Sequence, residues 1–304
     1  MQPSPDIRVL QLEDERDLAW IEIGDPKGTA VFAFHGSPGL GNQFARYDAA
    51  AAQCGVRLIA LDRPGYGGSS YHPKRRLSDW PADVRQLADH LGVQRLAVIG
   101  HSAGGPHALA CARFLSDRLL GCGVLSGPAS QAKTPMTEGM MTTNRMQVAV
   151  YRHWSPSFDA LAVGLWRLTK PLVEPALRYG RRNPEAGLER MLKMMPACDV
   201  AVMSRPDVRQ ELLAETTAFS SSILRTSVQD MAIAFRDWGF SLEDISMPVH
   251  IWQGELDRNV PLSHAHHQAS SIPHAVLHVC PDEGHWLLVD HMTEILLAVT
   301  QERG

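Results

Sequence analysis

The chain has 304 residues, 44% of them hydrophobic and 20% charged. That is the make-up of a globular protein of one or two domains, and it sets aside an intrinsically disordered chain. Its 29 Lys and Arg against 33 Asp and Glu leave a net charge of −4, which gives no electrostatic footprint for nucleic acid or an anionic membrane. No stretch approaches the roughly 20 apolar residues of a membrane span. The opening MQPSPDIRVLQLEDERD lacks a basic and then an apolar region, so no signal peptide is expected. Cys54, Cys111, Cys122, Cys198 and Cys280 are scattered and form no CxxC pair. That argues against a disulfide framework or a zinc site and for a reducing, cytoplasmic setting.

Residues 7–12 and 18–23 read as two short strands that pair as a hairpin. TAVFAFHG (29–36), VRLIALD (56–62) and QRLAVIG (94–100) are short, continuous apolar runs. Such runs suggest strands buried on both faces, as in a parallel sheet. Between them, residues 78–91 place Val84, Leu87, Ala88 and Leu91 on one helical face, with Ser78 as a plausible N-cap. A further helix is expected over 106–115 and a strand over 119–127. Alternation of this kind implies a doubly wound α/β fold. It stops at about residue 131. From there to about 226 the pattern is helical, with breaks expected at Pro135, Pro156, Pro171, Pro175, Pro184, Pro196 and Pro206. Strand-like runs return at 248–254 and 275–280, and a helix over 286–300 closes the chain. A helical block inside an α/β pattern reads as an inserted cap, so the division expected is core 1–130, cap 131–226 and core 227–304.

GHSAG (100–104) follows one apolar run and precedes a helical pattern. A Ser on a sharp strand-to-helix turn is held in a strained conformation with its hydroxyl exposed above the sheet. The residues two before and two after it come close together there, so Gly is wanted at 100 and 104. This makes Ser102 the candidate nucleophile. HGSPG (35–39) ends another buried strand, and the backbone N–H groups of Ser37 and Ala103 are the candidate oxyanion donors. His285, in DEGHW, lies between the last strand and the last helix, and Asp257, in GELDRNVP, follows the strand before it. The order Ser102, Asp257, His285, each at a strand end, suits a nucleophile, an orienting acid and a general base. Glu255, Asp282 and Glu283 are weaker rivals for the acid.

HGSPG, DRPGYGGS (62–69), GHSAGG, GELD and EGH, in that order, resemble the α/β-hydrolase superfamily over nearly the whole chain. The resemblance implies an eight-stranded, mostly parallel sheet flanked by helices, a helical cap over the site, no metal and no organic cofactor. HGxPG and the DRxGxG-type loop are similar to those of proline-iminopeptidase-like and esterase-like members. Peptidases of that type usually carry Gly where Ser37 stands and a bulky residue where Ala103 stands. Ser102 also occupies the place where haloalkane dehalogenases and epoxide hydrolases use Asp.

Other clusters read as structure. His264, His266 and His267 are expected on an exposed helix, and Lys74-Arg75-Arg76 and Arg181-Arg182 in solvated loops. The 131–226 segment holds Met136, Met140, Met141, Met146, Met191, Met194, Met195 and Met203, with Tyr151, Trp154, Phe158 and Trp166. At helical spacing these are core residues first and an adaptable pocket lining second. The expected activity is therefore hydrolysis of an ester or similar carboxylic derivative of a small, fairly apolar substrate, with no cofactor. Aminopeptidase action, gripping an ammonium with Glu138, Glu174, Glu185 or Glu189, is an alternative. So are a ligand receptor and cofactor-free carbon–carbon cleavage or oxygenation. Neither nucleic acid nor membrane is expected as a partner, and the sequence leaves the oligomeric state open.

Overall fold

The computed structural model describes residues 5–132, 135–153 and 156–301, without the side chains of 156–168. Among the described residues, β1 (Arg8–Gln11), β2 (Asp17–Gly24), β3 (Thr29–Phe34), β4 (Val56–Leu61), β5 (Leu96–His101), β6 (Leu119–Leu125), β7 (Val249–Gly254) and β8 (Ala275–Cys280) form one sheet. Its order is β1-β2-β4-β3-β5-β6-β7-β8. The first two strands make the expected antiparallel hairpin, and β2 runs antiparallel to β4. Every other pairing is parallel.

Helices cover both faces, and this is why the central strands are apolar throughout. On one face, α2 (Trp80–His90), α3 (Gly104–Phe114) and α10 (Leu262–Ser271) close a core around Phe32, Phe34, Val84, Leu87, Leu109 and Ile251. On the other, α1 (Asp48–Gln53) and α11 (Leu288–Thr300) pack Ala51, Leu296 and Val299 on Val31, Leu58 and Ile99. No described helix is long and apolar enough to cross a membrane.

Between β6 and β7 lie α4 (Thr142–Tyr151), α5 (Pro156–Arg182), α6 (Pro184–Leu192), α7 (Ala197–Met203), α8 (Pro206–Ala218) and α9 (Ser221–Phe235). Two proline readings need correction, because α5 runs through Pro171 and Pro175. In an α-helix the donor missing at 175 would have bonded the carbonyl of residue 171, so the two defects share one turn. Pro184 and Pro206 occupy first helical positions, where a missing N–H costs nothing, and Pro196 is an N-cap. Ser78 is not an N-cap. It sits inside a tight turn, Leu77–Asp79, where the Asp79 carboxylate accepts from the Arg76 N–H at 2.7 Å. The helical run also continues past 226, because the second half of α9 is buried against the sheet domain.

Candidate active site

Ser102 joins β5 to α3 with φ +51°, a left-handed conformation that a non-glycine residue rarely adopts. Its N–H donates to the Leu125 carbonyl and its carbonyl accepts from Gly105, both at 2.8 Å. The flanking glycines are sterically required. A Cβ at Gly100 would lie 2.2 Å from the Gly104 carbonyl oxygen, and one at Gly104 would lie 2.2 Å from that of Phe34.

His285 follows β8, and its Nδ1 lies 2.8 Å from Asp257 Oδ2. The carboxylate accepts, so Nδ1 carries the proton and Nε2 is left to act. The other Asp257 oxygen accepts from the Asn259 and Val260 N–H groups at 2.8 and 2.9 Å, and Gln253 Nε2 donates to Oδ2 at 2.9 Å. Asp257 is therefore buried with its lone pairs used. Burial pushes the His285 pKa down, but the Asp257 charge and hydrogen bond, with Asp199 behind them, leave it above its ordinary value. The rivals stand apart: Glu255 and Asp282 are exposed, and Glu283 bonds His291 at 2.8 Å.

Two groups around His285 carry no signal in the sequence. His101 is buried, its pKa pushed down to about 3 by that burial and by the neighbouring His285. Being neutral, it donates from Nε2 to the His285 carbonyl at 3.2 Å. Asp199, on α7, accepts from the Trp286 N–H at 3.2 Å. It presses so close that a Cβ at Gly284 would lie 2.3 Å from its Oδ1, which accounts for the glycine of EGH. Burial raises the Asp199 pKa, against the pull of His285.

The HGSPG turn hangs from a buried ion cluster. Arg63 Nε donates to the His35 carbonyl at 3.1 Å and its NH2 to that of Gly36 at 2.8 Å. Asp230, on α9, pairs with both Arg63 and Arg75 and accepts from the Tyr66 hydroxyl at 3.1 Å. Tyr66 in turn bonds the Ser37 hydroxyl at 2.8 Å. Among the described residues no acceptor meets the N–H of Ser37 or of Ala103. Arg75 is thus no solvated loop residue: its charge is buried because Asp230 neutralises it.

Ser37, Ser102, Ala103 and His285 all line one cavity of about 680 Å³, with Asp257 behind the imidazole. The opposite wall comes from α4, α5, α6, α8 and α9 and includes Tyr151, Met191, Met195, Leu212, Phe219 and Met231. Among the described lining residues the cation is Arg181, held by Glu174 at 3.0 Å, and the carboxyl group is Glu215. The acids proposed to grip an ammonium do not reach the cavity. Glu185 and Glu189 pair with Arg209, Glu174 with Arg181, and Glu138 is exposed. Met191 and Met195 line the cavity, Met140 and Met203 are buried, and Met146 and Met194 face solvent. Trp154 and the side chains of Phe158 and Trp166 lie outside the described residues.

His264 points inward, unlike His266 and His267. It accepts from the Ala129 N–H at 3.0 Å and bonds the Met136 carbonyl at 2.9 Å, so it ties the chain after β6 to α10. Among the described residues, Cys280, Glu283 and His291 bring three potential metal-ligand atoms within 4.8 Å of one another. Two of the three, Glu283 and His291, are already hydrogen-bonded to each other at 2.8 Å.

A family model described as alpha/beta hydrolase fold matches residues 29–292. An uncharacterized hydrolase of Bacillus subtilis is 27% identical over 269 residues, 86% of this chain and 87% of that one. A 2-hydroxy-6-oxononadienedioate/2-hydroxy-6-oxononatrienedioate hydrolase of Paraburkholderia phymatum is 27% identical over 94% of this chain and 90% of its own. Among solved structures, a probable hydrolytic enzyme of Pseudomonas aeruginosa PAO1 superposes with a TM-score of 0.71 at 19% identity, covering 98% of this chain and 95% of that one. An esterase from Exiguobacterium antarcticum gives 0.64 at 19% identity over 96% and 98%.

Proposed function

The chain belongs to the alpha/beta hydrolase family, and on that premise we propose that it is a serine hydrolase of an ester or related carboxylic derivative of a small, fairly apolar substrate. One observation carries this reading: Ser102 and His285 wall one cavity, with His285 Nδ1 on Asp257 at 2.8 Å. His285 Nε2 takes the Ser102 proton as Oγ attacks the carbonyl carbon. The proton then goes to the leaving group, and the same nitrogen activates the water that frees the acyl group. The N–H groups of Ser37 and Ala103, free of acceptors among the described residues, hold the oxyanion, and each such donor is worth about 10²–10³ in kcat.

Residues 131–226 serve as the cap between the core halves 1–130 and 227–304, with α9 (Ser221–Phe235) crossing the second boundary. A cytoplasmic location and a small molecule, not nucleic acid or membrane, as partner are part of this reading, which the charge balance and the free cysteines support.

Cofactor-free carbon–carbon cleavage is the second reading, with a dienedioate as the substrate to try because the Paraburkholderia relative is named a hydrolase of one. A doubly anionic substrate would need cations in the cavity. Arg181 is already neutralised by Glu174, and Glu215 is an acid, so the charge favours the ester. The test is a turnover panel of p-nitrophenyl esters of rising acyl length, aminoacyl anilides and the dienedioate, with wild type and Ser102→Ala. Ester turnover falling by about 10⁶ in the variant is expected. Preference for the dienedioate or the anilides would overturn the substrate class.

A further inference from the structure

We propose that the cap wall of the cavity is a binding site for a basic amine carried by the substrate, with Glu215 as its counter-charge. The inference rests on the ester-hydrolase reading and narrows it to amine-bearing esters.

Glu215 lies on α8 and lines the cavity. Along the same helix, Asp207 and Glu211 pair with Arg46. Glu215 comes one turn later and has no hydrogen bond or ion pair among the described residues. It shares the lining with the apolar Met191, Met195, Leu212, Phe219 and Trp286. An unpaired carboxyl in such a wall is costly, and nothing among the described residues repays it. A carboxyl that stabilises nothing inside the protein, at a wall meant for a ligand, is explained by a ligand that pairs with it.

The neighbouring charges select the sign of that ligand. Glu211 stands on the same helix. Arg46, from the turn before α1, is taken by Glu211 and Asp207. Arg181, on α5, is taken by Glu174. Asp199, on α7, lies behind the loop of Trp286. On α6, Glu185 and Glu189 are taken by Arg209, and no charged residue of α9 lines the cavity. Among the described residues an arriving cation therefore meets one uncommitted acid and no uncommitted cation. Phe219 and Trp286 line the same cavity, and aromatic rings suit the same charge. Burial and the Glu211 charge push Glu215 up to about 7. Below that pH it is a neutral acid, and above it a carboxylate, so an ammonium is gripped more strongly as pH rises through about 7.

The experiment compares two isosteres, choline butyrate and 3,3-dimethylbutyl butyrate, from pH 5.5 to 8.5. The quaternary ammonium cannot titrate, so any pH dependence of the cationic-to-neutral ratio of kcat/KM belongs to the protein. The ratio is expected to exceed one, to rise about tenfold through pH 7 and to level off. Glu215→Gln should flatten the profile and lower the plateau about tenfold. A ratio below one at every pH, or an unchanged profile in Glu215→Gln, overturns the amine site. Should neither ester turn over, the ester reading fails on its own. The amine site is then judged on Ser102→Ala protein by calorimetry with choline butyl ether and its neutral carbon isostere. Tighter binding of the cation with proton release at pH 6, both lost in Glu215→Gln, supports it. Equal binding overturns it.

Discussion

Asp230→Asn is the most searching test of how the HGSPG turn is held. Arg63 and Asp230 are wholly buried, and Arg75 nearly so. One carboxylate thus neutralises two guanidiniums out of water, and Asn would leave both uncompensated while keeping the shape. Breaking a buried ion pair from one side costs about 3–5 kcal/mol. At about 2.1 cal/mol/K per residue, 304 residues unfold with an entropy near 0.64 kcal/mol/K, so Tm should fall by about 5–8 °C. Arg63 also donates to the His35 and Gly36 carbonyls at 3.1 and 2.8 Å, immediately before the Ser37 N–H. A displaced guanidinium should misplace that donor and lower kcat by up to about 10²–10³. The pH behaviour has a definite sign. Burial alone would raise the Asp230 pKa, but Arg63 and Arg75 pull it well below the ordinary carboxylate range. Its stabilisation is complete above the unfolded carboxylate pKa and is lost only as pH falls towards the lowered native value. Calorimetry of wild type and variant should therefore show a Tm gap that is constant from neutral pH to about pH 5 and closes in stronger acid. A gap under 2 °C with unaltered ester kinetics would refute the idea that this cluster holds the turn.

Gly104→Ala should lower stability by about 1–3 kcal/mol or more, since its Cβ meets the Phe34 carbonyl oxygen at 2.2 Å and neither backbone can yield. Gly55→Ala, at φ +62° with no atom within 4 Å, should cost only the left-handed penalty of about 1–2 kcal/mol. Equal losses in urea titrations would show that the elbow is not tightly closed. His285 as the proposed general base must be neutral to accept a proton, so kcat/KM should fall below an apparent pKa higher than the 6.5 of a free imidazole. Asp199→Asn removes a charge that raises that pKa and should shift the acid limb downwards. An unmoved limb beside a plain loss of Tm would leave Asp199 a structural residue alone.

The parts of the molecule that could be read from the chain are those whose physics is local. β3, β4 and β5 are covered on both faces, so their apolar runs stand out. The elbow needs glycine two residues either side of Ser102, so spacing alone marks it. Asp257 and His285 each sit where a parallel strand ends, and such ends share one edge of the sheet. What could not be read is whatever depends on a partner far along the chain. Arg75 looks like part of a basic surface run until Asp230, 155 residues away, removes its charge from the reckoning. His264 looks like one of three exposed imidazoles until the Ala129 N–H, 135 residues away, finds it. Pro171 and Pro175 look like breaks because each removes a helix donor, yet α5 runs through both. Glu215 belongs to the same class, since on the sequence it is one acid among 33. Only the fold removes its possible partners, by giving Arg46 to Glu211 and Arg181 to Glu174. Specificity in this chain is therefore written less in its motifs than in which charges the folded helices leave unpaired.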